Sequence, residues 1–190
     1  MRKLTENDAL VIVDTQNCFM PDGPVPVPKG DEVVPALNRW IEKAQQEGAL
    51  VVASRDWHPE DHMSFKEQGG PWEPHCVKNT EGAAFHEDLE VPDDALIISK
   101  GDRPDKEAYS AFVDTDLAKK LNERGIETLW VGGLALDYCV KETVLDARRE
   151  GFEVHLIRDA ARAVNVEPGD DEKALDEMRK AGAVIEEGAG

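Results

Sequence analysis

Cys139, Asp14 and Lys100 are the residues of this 190-residue chain best suited to covalent chemistry. A thiol attacks well only as the thiolate, and a free cysteine ionises near about pH 8.5, so something must take its proton. A carboxylate such as Asp14 can do that, and a lysine such as Lys100 can hold that carboxylate charged. Cys139 follows Val131-Gly132-Gly133-Leu134-Ala135-Leu136-Asp137-Tyr138, and beyond it Val140, Val144 and Ala147 fall at helical spacing. Its sulfur therefore stands near a predicted helix N-terminus, where unpaired amides and the helix dipole favour the thiolate. Gly132, Gly133 and Ala135 are small enough to let backbone N–H groups approach a substrate, so one turn can supply nucleophile and oxyanion hole. Taken alone, Cys139 reads equally well as an inert buried thiol. Asp14 and Lys100 together turn the balance towards catalysis.

A second set is Asp56, His58 and His75. One carboxylate and two imidazoles suit Zn²⁺, Fe²⁺ or Mn²⁺, and three protein ligands leave positions for water and substrate. The one-apart spacing lets Asp56 and His58 point the same way on an extended segment. His62 is an optional fourth ligand and Glu67 a weaker one. Cys76 adjoins His75 and offers another ligand, but Cys76 and Cys18 read first as packing residues. His86 and His155 read as structural.

These residues need a frame, and the hydrophobic pattern predicts one. Short apolar runs at Ala9–Val13, Leu50–Ser54, Ala95–Ser99, Thr128–Val131, Phe152–Ile157 and Ala183–Ile185 read as strands. Segments of helical period run over 32–47, 115–124, 138–150 and 170–181, each followed by a glycine at 48, 125, 151 or 182. The alternation predicts a single α/β domain over 1–190, a doubly wound, mainly parallel six-stranded sheet with helices on both faces. Ligands in such folds bind beyond the carboxyl ends of the strands. Asp14, Asp56, Lys100 and Cys139 follow four successive predicted strands there. Between Asp56 and Asp94 no period is visible, and a loop that long inside a compact domain is usually functional. It holds His58, His62, His75 and His86.

Forty acidic residues against 22 basic ones give a net charge of −18. Such a surface repels phosphate backbones, so nucleic acid is excluded as a partner. The acid is spread along the chain and suits a salt-rich cytoplasm that screens carboxylate repulsion. No apolar run reaches the length of a membrane helix, and the N-terminal residues carry no signal core, so a cytoplasmic protein without a membrane partner is expected. Three widely spaced cysteines argue against a disulfide framework.

The Asp14, Lys100 and Cys139 arrangement resembles the isochorismatase-like cysteine hydrolases. Within them the chain is similar to the nicotinamidases, also called pyrazinamidases. The similarity runs through Val13–Met20, Gly30-Asp31, Ser54–His62, Gly70–Val77, Lys100-Gly101, Tyr109–Phe112 and Gly133–Val140. The aspartate–aromatic–histidine element with a later Pro-His-Cys separates that branch from metal-free relatives that act on isochorismate or carbamoyl compounds. The resemblance implies an amidohydrolase that converts nicotinamide to nicotinate and ammonia through a thioester, in NAD salvage, with pyrazinamide as a further substrate. It makes Cys139 the nucleophile, Asp14 the general acid/base and Lys100 its partner. It makes Asp56, His58 and His75 ligands of one divalent metal ion, Zn²⁺ first, with His62 a ligand in some members only. Phe19 and Trp72 match the aromatic walls around the pyridine ring, and Tyr109 lies near them. The backbone N–H groups of Ala135 and Cys139 match the oxyanion hole, with a cis peptide at Leu134–Ala135. The implied partner is a small molecule, and a homo-oligomer is left open. Cys18 replaces an aspartate of many relatives. Leu136 replaces a threonine or serine of some, which bears on fine specificity. A non-catalytic thiol sensor would need neither Asp14 with Lys100 nor the aromatic pair.

Overall fold

The computed structural model describes residues 2–188. Six strands form one parallel sheet in the order β3-β2-β1-β4-β5-β6. They are β1 (Asp8–Val13), β2 (Leu50–Asp56), β3 (Leu96–Lys100), β4 (Thr128–Leu134), β5 (Glu153–Arg162) and β6 (Val184–Glu186). Among the described residues four helices cover it: α1 (Val33–Gln46), α2 (Leu117–Glu123), α3 (Lys141–Arg149) and α4 (Asp170–Lys180). The expected doubly wound sheet is the observed one.

Strand geometry explains why the central strands carry no polar face. Every residue of β1 and of β4 is buried. Successive side chains point to opposite faces. Leu10 and Ile12 pack with Leu37, Trp40 and Ile41 of α1. Ala9, Val11 and Val13 pack with Leu121 of α2, Val144 of α3 and Met178 of α4. A strand caught between two apolar layers must be apolar on both, hence the unbroken runs in the sequence.

Two strands run further than their apolar stretches. β4 continues through Gly132 and Gly133 to Leu134, and β5 through Arg158 to Arg162. The two glycines have a packing reason. A Cβ on Gly133 (φ 122°) would run into the carbonyl of Val13, and one on Gly132 would press on Ala160 and Leu37. They bring β4 close to β1 and β5, rather than opening the backbone to substrate as their position suggested.

The expected helix from Tyr138 begins differently. Leu136–Val140 is a π-helical turn that runs into α3, so Cys139 sits in the turn ahead of the helix. Between β2 and β3 the chain forms two short 3-10 turns, Lys66–Gln68 and Glu81–Ala83, and no regular element of greater length. Among the described residues no helix is long and apolar enough to cross a membrane.

Candidate active site

Asp14, Asp56, Lys100 and Cys139 meet where β1, β2, β3 and β4 end. Lys100 closes β3 and Asp56 closes β2, paired in register, while Asp14 follows β1. Asp14 takes a left-handed conformation (φ 43°), one that a non-glycine residue holds only where its surroundings impose it. Ser54 helps impose it: its hydroxyl donates to Asp14 Oδ1 at 2.8 Å, and its carbonyl accepts the Asp14 N–H at 3.1 Å.

Lys100 is the centre of this cluster. Its buried ammonium lies 2.8 Å from Asp14 Oδ2 and 2.6 Å from Asp56 Oδ1. It also donates to the carbonyl of Ala108 at 3.0 Å and faces Cys139 Sγ at 3.6 Å. Burial would strip the proton from a lone lysine, but Asp14 and Asp56 overrule it and raise its pKa well above the usual value. Burial pushes the Asp14 carboxyl up while the Lys100 ammonium holds it back. The Cys139 thiol is raised well above its ordinary range by burial first, then by the charges of Asp14 and Asp56, with Lys100 opposing. The thiolate that the helix N-terminus suggested is therefore not the resting form. A carboxylate oxygen of Asp14 lies within 4.8 Å of the sulfur, so Asp14 is the group placed to take its proton.

Asp56, His58 and His75 each present one ligand atom to a common point, all within 4.8 Å of one another and all buried. The chemistry of this donor set fits a divalent metal. His58 Nδ1 lies 2.7 Å from the carbonyl of Gly101, and His75 Nδ1 lies 2.7 Å from that of Glu73. Carbonyls only accept, so both Nδ1 atoms carry a proton, which leaves Nε2 of each ring as the nitrogen that could face a metal. Asp56 gives Oδ1 to Lys100 and turns Oδ2 to within 3.5 Å of His58 Nε2. His75 reaches His58 because the loop returns: His58 N–H donates to the Cys76 carbonyl, and the His58 carbonyl accepts from Lys78, both at 2.9 Å. Asp14, Asp56 and Cys139 also converge, but there the Lys100 ammonium already stands as the cation.

His62 lies outside the metal-type cluster. It stacks on His58 at 3.9 Å, and its two ring nitrogens face the Ser64 hydroxyl at 2.7 Å and the Lys106 carbonyl at 3.1 Å. Burial and the neighbouring His58 push its pKa down to about 4, so it is neutral. Glu67 sits in an exposed 3-10 turn away from the cluster. His155 stacks on Trp130 at 4.2 Å and meets Glu186 at 2.8 Å, and His86 caps the amide of Asp88, in keeping with structural roles.

A pocket enclosing about 400 Å³, open solvent at its mouth included, joins the two clusters; its lining includes Asp56, His75, Ala135 and Cys139. Phe19, Trp72 and Tyr109 are also in its walls. Trp72 Nε1 donates to the Tyr109 hydroxyl at 3.3 Å, and Tyr138 stands edge-on to Trp72 at 5.3 Å. The Ala135 carbonyl accepts from the amides of Tyr138 and Val140, 3.1 Å each, leaving the Cys139 amide between them outside that pattern. The Leu134–Ala135 bond is cis. Residues 8–189 match the isochorismatase domain family.

The chain belongs to the isochorismatase family. A nicotinamidase of Escherichia coli (strain K12) is 42% identical to it over an alignment 198 residues long that covers 93% of each chain. Among solved structures, a pyrazinamidase of Pyrococcus horikoshii in complex with zinc is 52% identical with a TM-score of 0.91, covering 95% of this chain and 98% of that one. PnC1 from L. infantum in complex with nicotinate is 35% identical with a TM-score of 0.89, covering 97% and 95%.

Several parts of this isochorismatase-family site escaped the sequence. Cys18 and Cys76 are joined as a disulfide, against the expectation of separate packing thiols. They lie 58 residues apart, and the fold brings the turn of Phe19 against the loop of His75. Gln16 holds Asp56 from below: its side chain accepts the Asp56 N–H and donates to the Asp56 carbonyl, both at 2.9 Å. Glu107 and Val164 line the pocket without any motif to announce them. Leu136, marked as a specificity position, is fully buried in the core and does not line the pocket.

Proposed function

We propose that this isochorismatase-family protein is a nicotinamidase, an amidohydrolase that converts nicotinamide, and pyrazinamide, to the acid and ammonia. The observation that carries the reading is the meeting of a thiol, a carboxylate–ammonium pair and a metal-type triad in one aromatic pocket. The zinc complex of one relative and the nicotinate complex of another support it. A metal-free relative would have no use for Asp56, His58 and His75 turned to one point.

Asp56, His58 and His75 would hold one divalent ion, with zinc the first choice. Bound there, it would supply a positive template for the heterocycle nitrogen. The ring lies in the walls of Phe19, Trp72 and Tyr109, so that much of the acceleration comes from positioning. Asp14 takes the Cys139 proton as the sulfur attacks the carboxamide carbon. The amides of Ala135 and Cys139 receive the developing oxyanion. Lys100 stays charged and keeps Asp14 an acceptor until that moment. Asp14 then protonates the leaving nitrogen, the C–N bond breaks and ammonia departs. Water, deprotonated by the same carboxylate, breaks the thioester, releases the acid and returns the proton to sulfur. The proposal extends to a cytoplasmic place in NAD salvage.

Ammonia release from nicotinamide tests the reading. The protein should turn it over, and Cys139→Ala should lower kcat by about 10⁴-fold or more while the fold is kept. A Cys139→Ala variant with ordinary turnover, or a wild type inert towards both amides, sinks it.

A further inference from the structure

Four aspartates are buried among the described residues: Asp8, Asp14, Asp56 and Asp137. Asp8 opens β1 and takes up Arg2 at 2.6 Å, at the other end of the sheet. Asp14 and Asp56 belong to the chemistry above. Asp137, two residues before the nucleophile, has no part in it.

Its carboxylate is nonetheless fully used. Oδ1 accepts the N–H of Val164 at 3.0 Å and Oδ2 that of Asn165 at 2.9 Å. Both amides belong to the segment 163–165 that follows β5 with no regular structure of its own. Asn165 takes a left-handed conformation (φ 52°), and successive amides in such a turn form a nest that receives an anion. The Asn165 side chain accepts in turn from the amide of Asp171, at the start of α4. Val164 lines the pocket beside Cys139 and Tyr138. One wall of the pocket thus hangs on a carboxylate carried by the nucleophile's own turn.

We propose that Asp137 is a positioning residue that fixes Val164 as a wall of the substrate pocket, and so sets how well the heteroaromatic ring fits rather than how fast the amide bond breaks. This rests on the nicotinamidase reading. It makes fit and nucleophile depend on one turn, since any shift of Leu136–Val140 moves the Asp137 clamp together with Cys139.

Asp137→Asn keeps the size but turns one acceptor into a donor, so one of the two amides loses its partner. KM for nicotinamide should rise about tenfold, the loss of a charge-assisted hydrogen bond, with kcat within about threefold of wild type. Val164→Ala alone should raise KM by a similar factor. Adding Asp137→Asn to it should then change KM by less than about twofold, because the two act through one wall. A kcat collapse at unchanged KM, a wild-type KM in Val164→Ala, or full additivity of the two changes overturns the proposal. Should Asp137→Asn not fold, the Val164→Ala result still decides. Amide hydrogen exchange needs no substrate: in Asp137→Asn the Val164 and Asn165 amides should exchange at least about tenfold faster while those of β1 and β4 keep their rates. Unchanged exchange at both amides overturns the proposal. A wild type that releases no ammonia would defeat the nicotinamidase reading and leave the exchange result standing on its own.

Discussion

The carbonyl oxygen of Gly101 lies 2.7 Å from Nδ1 of His58, and the α-carbon of that glycine faces the same ring. Gly101 sits at φ 67°, and a Cβ there would come within 2.6 Å of His58 Cε1. One residue thus orients the imidazole by a hydrogen bond and leaves room for it by having no side chain.

Gly101→Ala should therefore turn His58 away from Asp56 and His75. Outer-shell contacts of this kind carry about 10–100-fold in metal affinity. Metal analysis after dialysis against a competing chelator should show occupancy falling with circular dichroism unchanged. Wild-type occupancy would mean that the ring can shift without loss.

Lys100→Met should destabilise the fold as well as stop turnover. It leaves Asp14 and Asp56 buried without their ammonium, and removing one partner of such a group costs about 3–5 kcal/mol. In a domain of this size that lowers Tm by about 10 °C. Calorimetry checks it; an unchanged Tm would show that the carboxylates are relieved in some other way.

Chelation should separate the two halves of the site. The metal-type triad does not include sulfur, and Cys139 faces Lys100, with Asp14 close by. Stripped protein should release no ammonia from nicotinamide yet still be alkylated at Cys139 by iodoacetamide, and added zinc should restore turnover. Full activity after stripping would remove the metal from the mechanism.

Thiol titration of the unfolded, unreduced protein should count one free thiol, Cys139, and three after reduction. Reduction should also lower Tm, because the bond closes a loop spanning 58 residues in sequence. Three thiols without reductant would show that Cys18 and Cys76 are merely neighbours.

Much of the fold could be read in advance because its causes are local. The runs at Ala9–Val13 and Leu129–Val131 are apolar on every residue because two helical layers cover those strands. β4 and β5 outran the pattern: Gly132, Gly133 and Arg158–Arg162 lack strand propensity and are held by neighbouring strands. The turn at Leu136–Val140 looked helical because its apolar spacing is that of the helix it enters, and spacing does not report the hydrogen-bond offset.

For the site, the sequence by itself determined which groups are present and at which strand ends they stand: Asp14, Asp56, Lys100 and Cys139, followed by the histidine-rich loop. That much follows from periodicity, since a parallel sheet puts every strand's carboxyl end on one edge. Only the tertiary structure decided that Lys100 sits between two carboxylates, that the Cys139 thiol rests protonated, that His75 joins His58 while His62 does not, that Cys18 meets Cys76, and that Asp137 holds Val164. The contacts among these join segments apart in the chain and are fixed by where loops return. Burial, which sets the protonation of these groups, is a property of all the packed neighbours at once.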